Sequence, residues 1–477
     1  MKITLIQPAL SSSDRYGKHL GKVGPTCEPL GLAYLAAAIR ERREGDEIEI
    51  IDAVALKYKS EDLKNHLLRT KPDVVGLGVL TPMYLVAKET IDMIHETLPD
   101  CTIVFGGPHP SIFPELTLEE NPNVNYIVIG EGEWTFVELL DSFENKIDVK
   151  DVKGIAYRKN GKIVMNEARP FVKDIDELPI PARDLLPMEL YRPAPTYYIE
   201  SPSYLMLTTR GCPFMCSYCS KVFGQTFRHH SVDRILREVN ILINKYGAKE
   251  IIFRDDTFTI NADHVRSLCK AMTNQGIHKK IRWTCMTRVN LVTKDLLEEM
   301  KEAGCWSIHY GVESGNQRLL NLIKKGITIQ QIQNAFKWTR EVGIETKAFF
   351  MIGLPTETPE ETLRTMEFTR ELDPDWIQAT ITVPYPGTAL YNLVKDTDTL
   401  KSFKWEDYQT WAGWSDTDLI YVPEGRDADD LKMLQKKVMR DFYFRPKFIL
   451  RQLKFLKTPD RIKAYFNGGY ALFKSKS

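Results

Sequence analysis

The chain has 477 residues, equal numbers of basic and acidic side chains (64 Lys and Arg, 64 Asp and Glu) and 43% hydrophobic residues. This length is enough for about two or three domains with cores of their own, and the zero net charge gives no indication of nucleic-acid binding. Eight cysteines are too few for a disulfide scaffold, and no apolar run reaches the length of a membrane-spanning helix, so we expect a cytoplasmic protein.

The first 145 residues alternate short apolar runs with amphipathic stretches. Such alternation predicts an α/β domain with a doubly wound, Rossmann-like parallel sheet. The predicted strands are Ile3–Gln7, Ile48–Asp52, Val74–Val79, Thr102–Phe105 and Tyr126–Ile129. The predicted helices are Leu30–Arg43, Ser60–Arg69, Met83–Leu98 and Glu133–Phe143.

Glycine-rich segments lie at the ends of three successive strands of this domain. Ligands in open parallel sheets bind outside the carboxyl ends of the strands, and glycine allows a backbone to approach a phosphate or a ring closely. One such segment is more typical of a tight turn, but three together favour a ligand site. No G-x-G-x-x-G follows the first strand, which disfavours a dinucleotide. The Thr81 hydroxyl is equally suited to capping the helix that starts near Met83. The candidate ligand contacts are Gly76, Thr81, Gly106, Gly107, Pro108 and Gly132.

Residues 146–200 are rich in proline and are predicted to form a linker between two domains. Within it, strand-like runs flank Asn160 and Gly161, a dipeptide that favours a two-residue hairpin turn. We therefore expect a hairpin around residues 154–165 inside an otherwise irregular segment.

From residue 201 to about 400 a second series of strands and helices follows. Six β/α units predict a partial (β/α) barrel, in which the chemistry lies at the C-terminal rim of the strands. The predicted strands are Tyr204–Arg210, Glu250–Asp256, Arg282–Arg288, Ser307–Glu313, Thr346–Gly353 and Trp376–Pro384. Residues at the ends of these strands are candidates for one shared site, namely Asp255, Asp256, Arg288, Glu313 and Gly353.

Three cysteines follow the first of these strands in the loop Gly211–Cys219, with the spacing C-x3-C-x2-C. The thiolates of Cys212, Cys216 and Cys219 could bind three irons of a [4Fe–4S] cluster and leave the fourth iron open for chemistry. The alternative is a structural zinc loop with a nearby histidine as a further ligand. Zinc sites usually pair cysteines as C-x2-4-C with a second pair of ligands farther along the chain, so the spacing favours the cluster.

The C-terminal region, residues 401–477, ends in a basic and aromatic tail. From Lys436 onward, twelve Lys or Arg stand against two Asp. Helical spacing of apolar residues predicts an amphipathic helix, and Pro446 is suited to starting a second one. Such helices either lie on an anionic membrane surface or pack on the barrel with a solvated basic face, and the sequence leaves both alternatives open. The apolar stripe consists of Leu431, Leu434, Val438 and Phe442.

The cysteine loop, with Tyr218 before its last cysteine, resembles the signature of the radical S-adenosylmethionine (SAM) superfamily. Other motifs are similar to one branch of it, the cobalamin-binding-domain proteins related to the anaerobic magnesium-protoporphyrin monomethyl ester cyclase and to B12-dependent methyltransferases. These motifs extend over nearly the whole chain and include Pro72–Gly76, Gly106–His109, Gly130–Glu133, Phe253–Thr259, Gly311–Gly315, Gly353–Pro355 and Phe442–Pro446.

The resemblance implies a [4Fe–4S] cluster on the three cysteines, SAM at the open iron and cobalamin in the N-terminal domain. It implies cleavage of SAM to a 5′-deoxyadenosyl radical that abstracts hydrogen from an unactivated carbon, leading to methylation or oxidative cyclisation. It also implies a reductant such as flavodoxin or ferredoxin, and a small-molecule or lipid substrate of apolar, isoprenoid or porphyrin type. The implied SAM contacts, each also compatible with an ordinary structural role at a barrel rim, are Tyr218, Asp255, Asp256, Arg288, Glu313 and Gly353.

The chain departs from many cobalamin domains in one motif. These domains carry D-x-H-x-x-G, whose histidine binds cobalt, whereas the corresponding residues 7–17 contain no histidine. The resemblance therefore implies cobalamin without this ligand, or a domain that binds none. An alternative to a radical SAM enzyme, from another functional class, is a non-catalytic iron–sulfur or zinc sensor.

The basic tail is compatible with peripheral contact at the inner face of a membrane.

Overall fold

The computed structural model describes residues 1–9, 25–408 and 418–453. The chain divides into two compact units. The first unit consists mostly of residues 26–191 and also includes residues 222–224. The second unit consists mostly of residues 192–221 and of those from 225 onward. Each unit has its own sheet of parallel strands connected by helices.

The sheet of the first unit is doubly wound, as predicted. Its strands are β1 (Lys2–Gln7), β2 (Glu47–Asp52), β3 (Val74–Gly78), β4 (Thr102–Gly106), β5 (Tyr126–Val128), β6 (Ile155–Lys159) and β7 (Lys162–Met165). Their order is β2-β1-β3-β4-β5-β6-β7, with β1 to β5 parallel. The buried run of β1 is typical of a parallel strand covered on both faces.

This strand order creates a topological switch point between β1 and β3. The chain passes from β1 to β2 on one side and then crosses to β3 on the other. In sheets of this order, ligands bind in the crevice outside the carboxyl ends of the strands at the switch point. The fold therefore provides a ligand crevice at the glycine-rich ends of β3 and β4.

The helices of the first unit connect and cover these strands. Two of them, Pro108–Ile112 and Pro114–Glu120, have no counterpart among the predicted elements, because 5 and 7 residues are too few to show a helical period. Both begin with proline, which suits the first turn of a helix. The complete set described in this unit is Leu30–Arg42, Ser60–Thr70, Tyr84–Thr97, Pro108–Ile112, Pro114–Glu120 and Glu133–Phe143.

The predicted hairpin continues this sheet. Strand β6 pairs antiparallel with β5 and with β7. The turn residues Asn160 and Gly161 have φ angles of 51° and 76°, and positive φ at both positions is what a type I′ turn requires. Residues 146–191, which the sequence assigns to a linker, thus group with the first unit.

The second unit contains six parallel strands in chain order, the arrangement predicted for a partial barrel. Its strands are β8 (Ser203–Met206), β9 (Thr209–Arg210), β10 (Arg228–His229), β11 (Glu250–Phe253), β12 (Arg282–Thr287), β13 (Cys305–Glu313), β14 (Glu345–Ile352) and β15 (Trp376–Ile381). The sheet order is β15-β14-β13-β12-β11-β8, and β9 pairs separately with β10. The cysteine loop lies between these last two strands in the chain, so a short antiparallel pair joins its flanking segments.

Local sequence signals start the helices of this unit. Thr328 and Thr358 each form a capping box with the residue three positions on, Gln331 and Glu361. The described helices are Val232–Tyr246, Ala262–Asn274, Lys294–Glu302, Gln317–Leu322, Ile329–Val342, Pro359–Leu372, Ala389–Val394, Ala428–Tyr443 and Pro446–Leu453.

The tail helix Ala428–Tyr443 packs on the barrel. Its predicted apolar stripe is buried, and Gln435 Nε2 donates to the carbonyl oxygen of Ala379 in β15 at 3.1 Å. In the next helix Ile449 and Leu450 stay exposed. The remaining tail, residues 454–477, lies outside the described residues. Within the described part of the chain, no helix combines the length and apolar character needed to cross a bilayer.

Candidate functional site

A buried carboxylate holds the entrance to the cysteine loop. Asp255 follows β11, and its Oδ1 accepts hydrogen bonds from the backbone N–H groups of Thr208 and Thr209, both at 2.6 Å. The Thr208 hydroxyl donates to Oδ2 at 2.7 Å. Burial raises the pKa of Asp255 to about 6, and these hydrogen bonds oppose the increase. Both oxygens of Asp255 are therefore engaged in positioning the chain just before Cys212.

The three cysteines of the loop are free thiols that differ in exposure. Cys216 is buried, Cys212 is half-buried and Cys219 is exposed. The loop is held by backbone hydrogen bonds: the Ser217 N–H donates to the carbonyl oxygen of Ile323 at 2.9 Å, and the Cys219 N–H donates to that of Cys216 at 3.3 Å. Burial is the main cause that raises the pKa of the Cys219 thiol to about 11, so metal binding here would release protons.

Arg288, at the end of β12, binds the cysteine loop directly. Its Nη1 lies 3.4 Å from Cys216 Sγ, and its guanidinium carbon lies 3.8 Å from the centre of the Phe214 ring. Its Nε donates to Asn290 Oδ1 at 3.2 Å, and its Nη2 donates to the carbonyl oxygen of Lys325. The donor groups of Arg288 are thus directed at the loop and its surroundings.

These groups fit an iron–sulfur cluster. Three thiols in one short loop can each bind one iron, and hydrogen bonds to the sulfurs are among the factors that set the reduction potential of such a cluster. The guanidinium beside Cys216 provides that hydrogen bond and a compensating positive charge. Within the described ranges, no three His, Cys, Asp or Glu side chains lie close enough together to hold a single metal ion. A [4Fe–4S] cluster does not require such a group, because each thiolate binds a different iron.

Tyr218 of the loop forms a hydrogen-bonded triad with Glu313 and Lys325, which are both buried. The Tyr218 hydroxyl donates to Glu313 Oε1 at 2.8 Å, and Lys325 Nζ donates to the same oxygen at 2.7 Å. Lys325 Nζ also lies 2.9 Å from the Tyr218 hydroxyl oxygen. The side chains of Lys325 and Glu313 are only 6% and 9% exposed. Such a buried ion pair is stable only when its remaining groups are well hydrogen-bonded, as they are here.

Gly311 provides the space for this triad. A Cβ at this position would lie 2.6 Å from Glu313 Oε1 and 2.7 Å from Lys325 Nζ. Strand pairing shifts between Gly311 and Glu313, and Glu313 itself has a φ of 66°. Irregular strands and left-handed non-glycine residues cost energy and are concentrated at functional sites. The backbone of β13 is therefore shaped to direct Glu313 toward Tyr218.

The other predicted SAM contacts, Asp256 and Gly353, are not members of the triad. Asp256 is exposed, next to the buried Asp255. Gly353 has a φ of 77°, and a Cβ there would lie 3.4 Å from the side chain of Leu431 on the tail helix. The positive φ and this close packing explain the glycine without a ligand.

Sequence reasoning did not select Lys325, which completes the triad. It follows the helix Gln317–Leu322 in a tight connection where Lys324 and Gly326 have φ angles of 52° and 65°. The sequence signal that could have indicated Lys325 is the Lys-Lys-Gly turn that follows this helix, in the segment after the strand that carries Glu313. That signal alone does not indicate that the lysine folds back onto the strand end.

The first unit has a cavity of about 310 Å³ at the carboxyl ends of its strands. Gln7 and Leu32 contribute to its lining, together with the predicted candidates Gly76, Gly106, Gly107, Pro108 and Gly132. Thr81 is not among the lining residues, and its hydroxyl lies 3.2 Å from Nδ1 of the buried His109. The cavity thus coincides with the switch point and with most of the predicted contacts.

Glycine keeps the wall of this cavity flat. A Cβ at Gly76 would lie 2.9 Å from Leu5 Cδ2, and one at Gly132 would lie 3.1 Å from Leu35 Cδ2. Gly107 has a φ of 96°, and a Cβ there would meet the backbone of Val79 at 3.0 Å. A flat, glycine-rich wall fits the face of a corrin ring, and none of the lining residues is histidine.

Comparison with known proteins identifies both units. The chain matches the Radical SAM superfamily model over residues 206–369 and the B12 binding domain model over residues 18–140. An uncharacterized methyltransferase of Pyrococcus horikoshii is 36% identical over 455 residues, 95% of each chain. The anaerobic magnesium-protoporphyrin IX monomethyl ester cyclase of Cereibacter sphaeroides is 30% identical over 403 residues, 83% of this chain and 64% of the cyclase.

Among solved structures, the radical SAM methyltransferase TsrM from Kitasatospora setae, with cobalamin and a [4Fe-4S] cluster bound, has the same fold. Its TM-score is 0.69 at 18% identity, and the match covers 94% of this chain and 82% of TsrM. The two family models account for the thiol loop and for the glycine-lined cavity. The chain therefore belongs to the radical SAM superfamily, in the branch with a B12-binding domain, and is a cobalamin-dependent radical SAM enzyme whose cofactors are a [4Fe–4S] cluster, SAM and cobalamin.

Proposed function

We propose that this enzyme methylates an unactivated carbon of an apolar substrate of lipid or porphyrin type. One observation carries the proposal: the same chain contains a loop of three thiols held by Arg288 and a glycine-lined cavity at the switch point of the first sheet. The relative from Pyrococcus horikoshii, which matches 95% of this chain, is named a methyltransferase, which favours methyl transfer as the reaction.

In this proposal Cys212, Cys216 and Cys219 hold the cluster, and Arg288 is a positioning residue for it. Three contacts of Arg288 already engage its nitrogens, so it acts on the sulfur of Cys216 and not on the SAM carboxylate. When bound, the cluster and SAM supply a radical that removes hydrogen from carbon, and cobalamin supplies a transferable methyl group. A reductant such as flavodoxin or ferredoxin provides the electron.

The triad recognises SAM in this proposal. Both the Tyr218 hydroxyl and Lys325 hold Glu313 through Oε1, and among the described residues Oε2 has no hydrogen-bond partner. That oxygen accepts a hydrogen bond from the ribose hydroxyls or the ammonium group of SAM. Lys325 supplies a positive charge for the SAM carboxylate, and Asp256, which is exposed, accepts from the ammonium group.

The cobalamin contacts in this proposal are the residues that line the cavity of the first unit. Gly76, Gly106, Gly107, Pro108 and Gly132 face the ring, the glycines through backbone atoms because they carry no side chain. The Thr81 hydroxyl acts indirectly, because it already contacts His109.

Anaerobic reconstitution with iron, sulfide and cobalamin tests the proposal. We expect four irons per chain, 5′-deoxyadenosine from SAM with dithionite, and transfer of a deuterated methyl group from labelled SAM to the substrate. Cys216→Ala should lose the cluster and SAM cleavage, whereas Cys27→Ala, an exposed cysteine outside the loop, should keep both. Bound zinc, or SAM cleavage retained in Cys216→Ala, would contradict the assignment.

Oxidative cyclisation is the second candidate, because the Cereibacter sphaeroides relative that matches 83% of this chain is named a cyclase. The two reactions give different mass changes. Methylation adds a labelled methyl group to the product, whereas cyclisation removes hydrogen from the substrate and adds no carbon. A product without the label would favour cyclisation.

A further inference from the structure

Two cations lie on the inner face of the barrel sheet without a carboxylate partner among the described residues. Lys347 is 3% exposed, and its Nζ donates to the Thr196 hydroxyl at 3.1 Å. Arg254 is exposed to solvent, and its Nη1 contacts Met286 Sδ at 3.3 Å. Burial lowers the pKa of Lys347 and the charge of Arg254 adds to this effect, while a hydrogen bond with the Tyr197 hydroxyl and the charge of that group oppose it. An unpaired buried ammonium group costs free energy unless a negative charge compensates it.

A buried histidine lies on the same face. In the parallel register His309 stands beside both Met286 and Lys347. It is 1% exposed, and neither of its ring nitrogens has a hydrogen-bond partner. Buried polar groups are nearly always hydrogen-bonded, so an unpartnered imidazole between two cations is unusual in a purely structural core.

Tyr197 is the group around which these side chains gather. Its ring centre lies 3.9 Å from Lys347 Nζ and 5.6 Å from the Arg254 guanidinium carbon. The His309 ring meets it edge-on, with centroids 4.7 Å apart. Burial raises the pKa of Tyr197, but the charges of Lys347 and Arg254 outweigh this effect and lower it overall. The cluster therefore stabilises negative charge on an oxygen placed at its centre.

The cluster is separate from the SAM triad. His309 precedes Glu313 by four residues on β13, which corresponds to a distance of about 13 Å along a strand. SAM held at Glu313 would thus not place its own carboxylate on Lys347. A substrate that reaches both the cluster and the rim of the barrel must extend over a comparable length.

We propose that Arg254, Lys347 and His309 bind an anionic group of the substrate, a carboxylate or a phosphate, with the Tyr197 hydroxyl as an additional donor. The inference rests on the proposed function, since it assigns the substrate of the same barrel. It defines the substrate as an extended molecule with an acidic end in the barrel interior and an apolar part near the rim. Arginine and lysine donors next to a hydroxyl are suited to either anion.

Binding of simple anions to the reconstituted holoenzyme tests this inference. Inorganic phosphate and acetate are titrated separately in the presence of SAM by calorimetry, so that the two arms distinguish the phosphate from the carboxylate. We expect saturable binding of at least one anion, weakened about tenfold or more in Arg254→Gln and in Lys347→Met, and restored in part by Lys347→Arg. The control Lys279→Gln/Lys280→Gln, which removes two exposed lysines, should bind as the wild type does.

Two outcomes would overturn the inference: no saturable binding of either anion, or equal binding in the wild type and in both variants. In those cases the cluster only anchors the segment that carries Tyr197. Iron content after reconstitution checks that Arg254→Gln and Lys347→Met are folded. The wild type and the Lys279→Gln/Lys280→Gln control are also assayed for 5′-deoxyadenosine formed from SAM with dithionite, and the control should stay within about twofold of the wild type. Absence of this product in the wild type would instead contradict the proposed function, whatever the anions do.

Discussion

Arg288 at the end of β12 donates from Nη1 to the Sγ of Cys216 over 3.4 Å. The same guanidinium contacts the carbonyl oxygen of Lys325, whose ammonium group binds Glu313. One side chain therefore connects the thiol loop to the triad proposed for SAM. A change in this arginine should affect both, and the cluster first.

We predict that Arg288→Gln loses iron more readily than the wild type. The substitution removes a positive charge and an N–H···S hydrogen bond, and loss of comparable outer partners at metal sites lowers affinity or activity about 10- to 100-fold. Iron per chain after gel filtration and the reduction potential of the cluster are the measurements. Arg282→Gln changes a half-exposed arginine on the same strand and should alter neither quantity. Equal iron retention in the two variants would contradict the role of Arg288.

Gly311→Ala should weaken SAM binding while the cluster stays in place. The new methyl group would lie within 2.7 Å of both Glu313 Oε1 and Lys325 Nζ and would separate the pair. Overpacking of this kind costs about 1–3 kcal/mol, so we expect SAM affinity to fall about tenfold or more. SAM titration of the reconstituted protein measures the effect, and Lys325→Met should reproduce it. Lost iron with unchanged SAM affinity would argue against the triad as a SAM site.

His109 should make the first unit sensitive to acid. Its side chain is 1% exposed, and burial lowers its pKa to about 4. Between pH 6.5 and 4 the unfolded chain binds a proton at this residue and the folded chain does not, so stability falls as the pH decreases, by roughly 2 kcal/mol at pH 5. Urea unfolding at pH 7 and pH 5 should show a smaller loss in His109→Gln than in the wild type. His95→Gln, at an exposed position, is the control, and identical losses in all three proteins would refute this account.

Truncation after Leu453 should leave the fold intact and reduce binding to anionic vesicles. The tail helix Ala428–Tyr443 is part of the barrel packing, so the cut must fall beyond it. Residues 454–477 carry six Lys or Arg against one Asp, and each basic residue near an anionic surface contributes about 1 kcal/mol. Sedimentation with phosphatidylserine vesicles compares the two proteins, and neutral phosphatidylcholine vesicles are the control. Equal sedimentation would remove the argument for peripheral membrane contact.

Elements with a clear period were predictable from the sequence. Five of the six barrel strands were predicted within about three residues of their observed ends, because each is a buried run followed by a turn signal. The predicted strand Tyr204–Arg210 is instead divided into β8, in the barrel sheet, and β9, which pairs with β10. The short helices Pro108–Ile112 and Pro114–Glu120 were missed, since they complete too few turns to show a pattern. The linker prediction for residues 146–200 did not include pairing of its hairpin with β5, because pairing between strands is not encoded in either strand alone.

The sequence by itself determined the fold class, the family and the cofactors of this protein. The fold class follows from the alternation of strands and helices, and the cluster site follows from the spacing C-x3-C-x2-C. The family, SAM and cobalamin follow from the resemblance of these motifs to the radical SAM superfamily. Only the tertiary structure decided which charged groups meet. Asp255 holds Thr208 across 47 residues of chain, Arg288 reaches Cys216 across 72, and Lys347 reaches Thr196 across 151. Such partners depend on how distant segments of the chain pack. Burying a charged group without a partner costs free energy, so the charged groups that packing buries must find partners nearby.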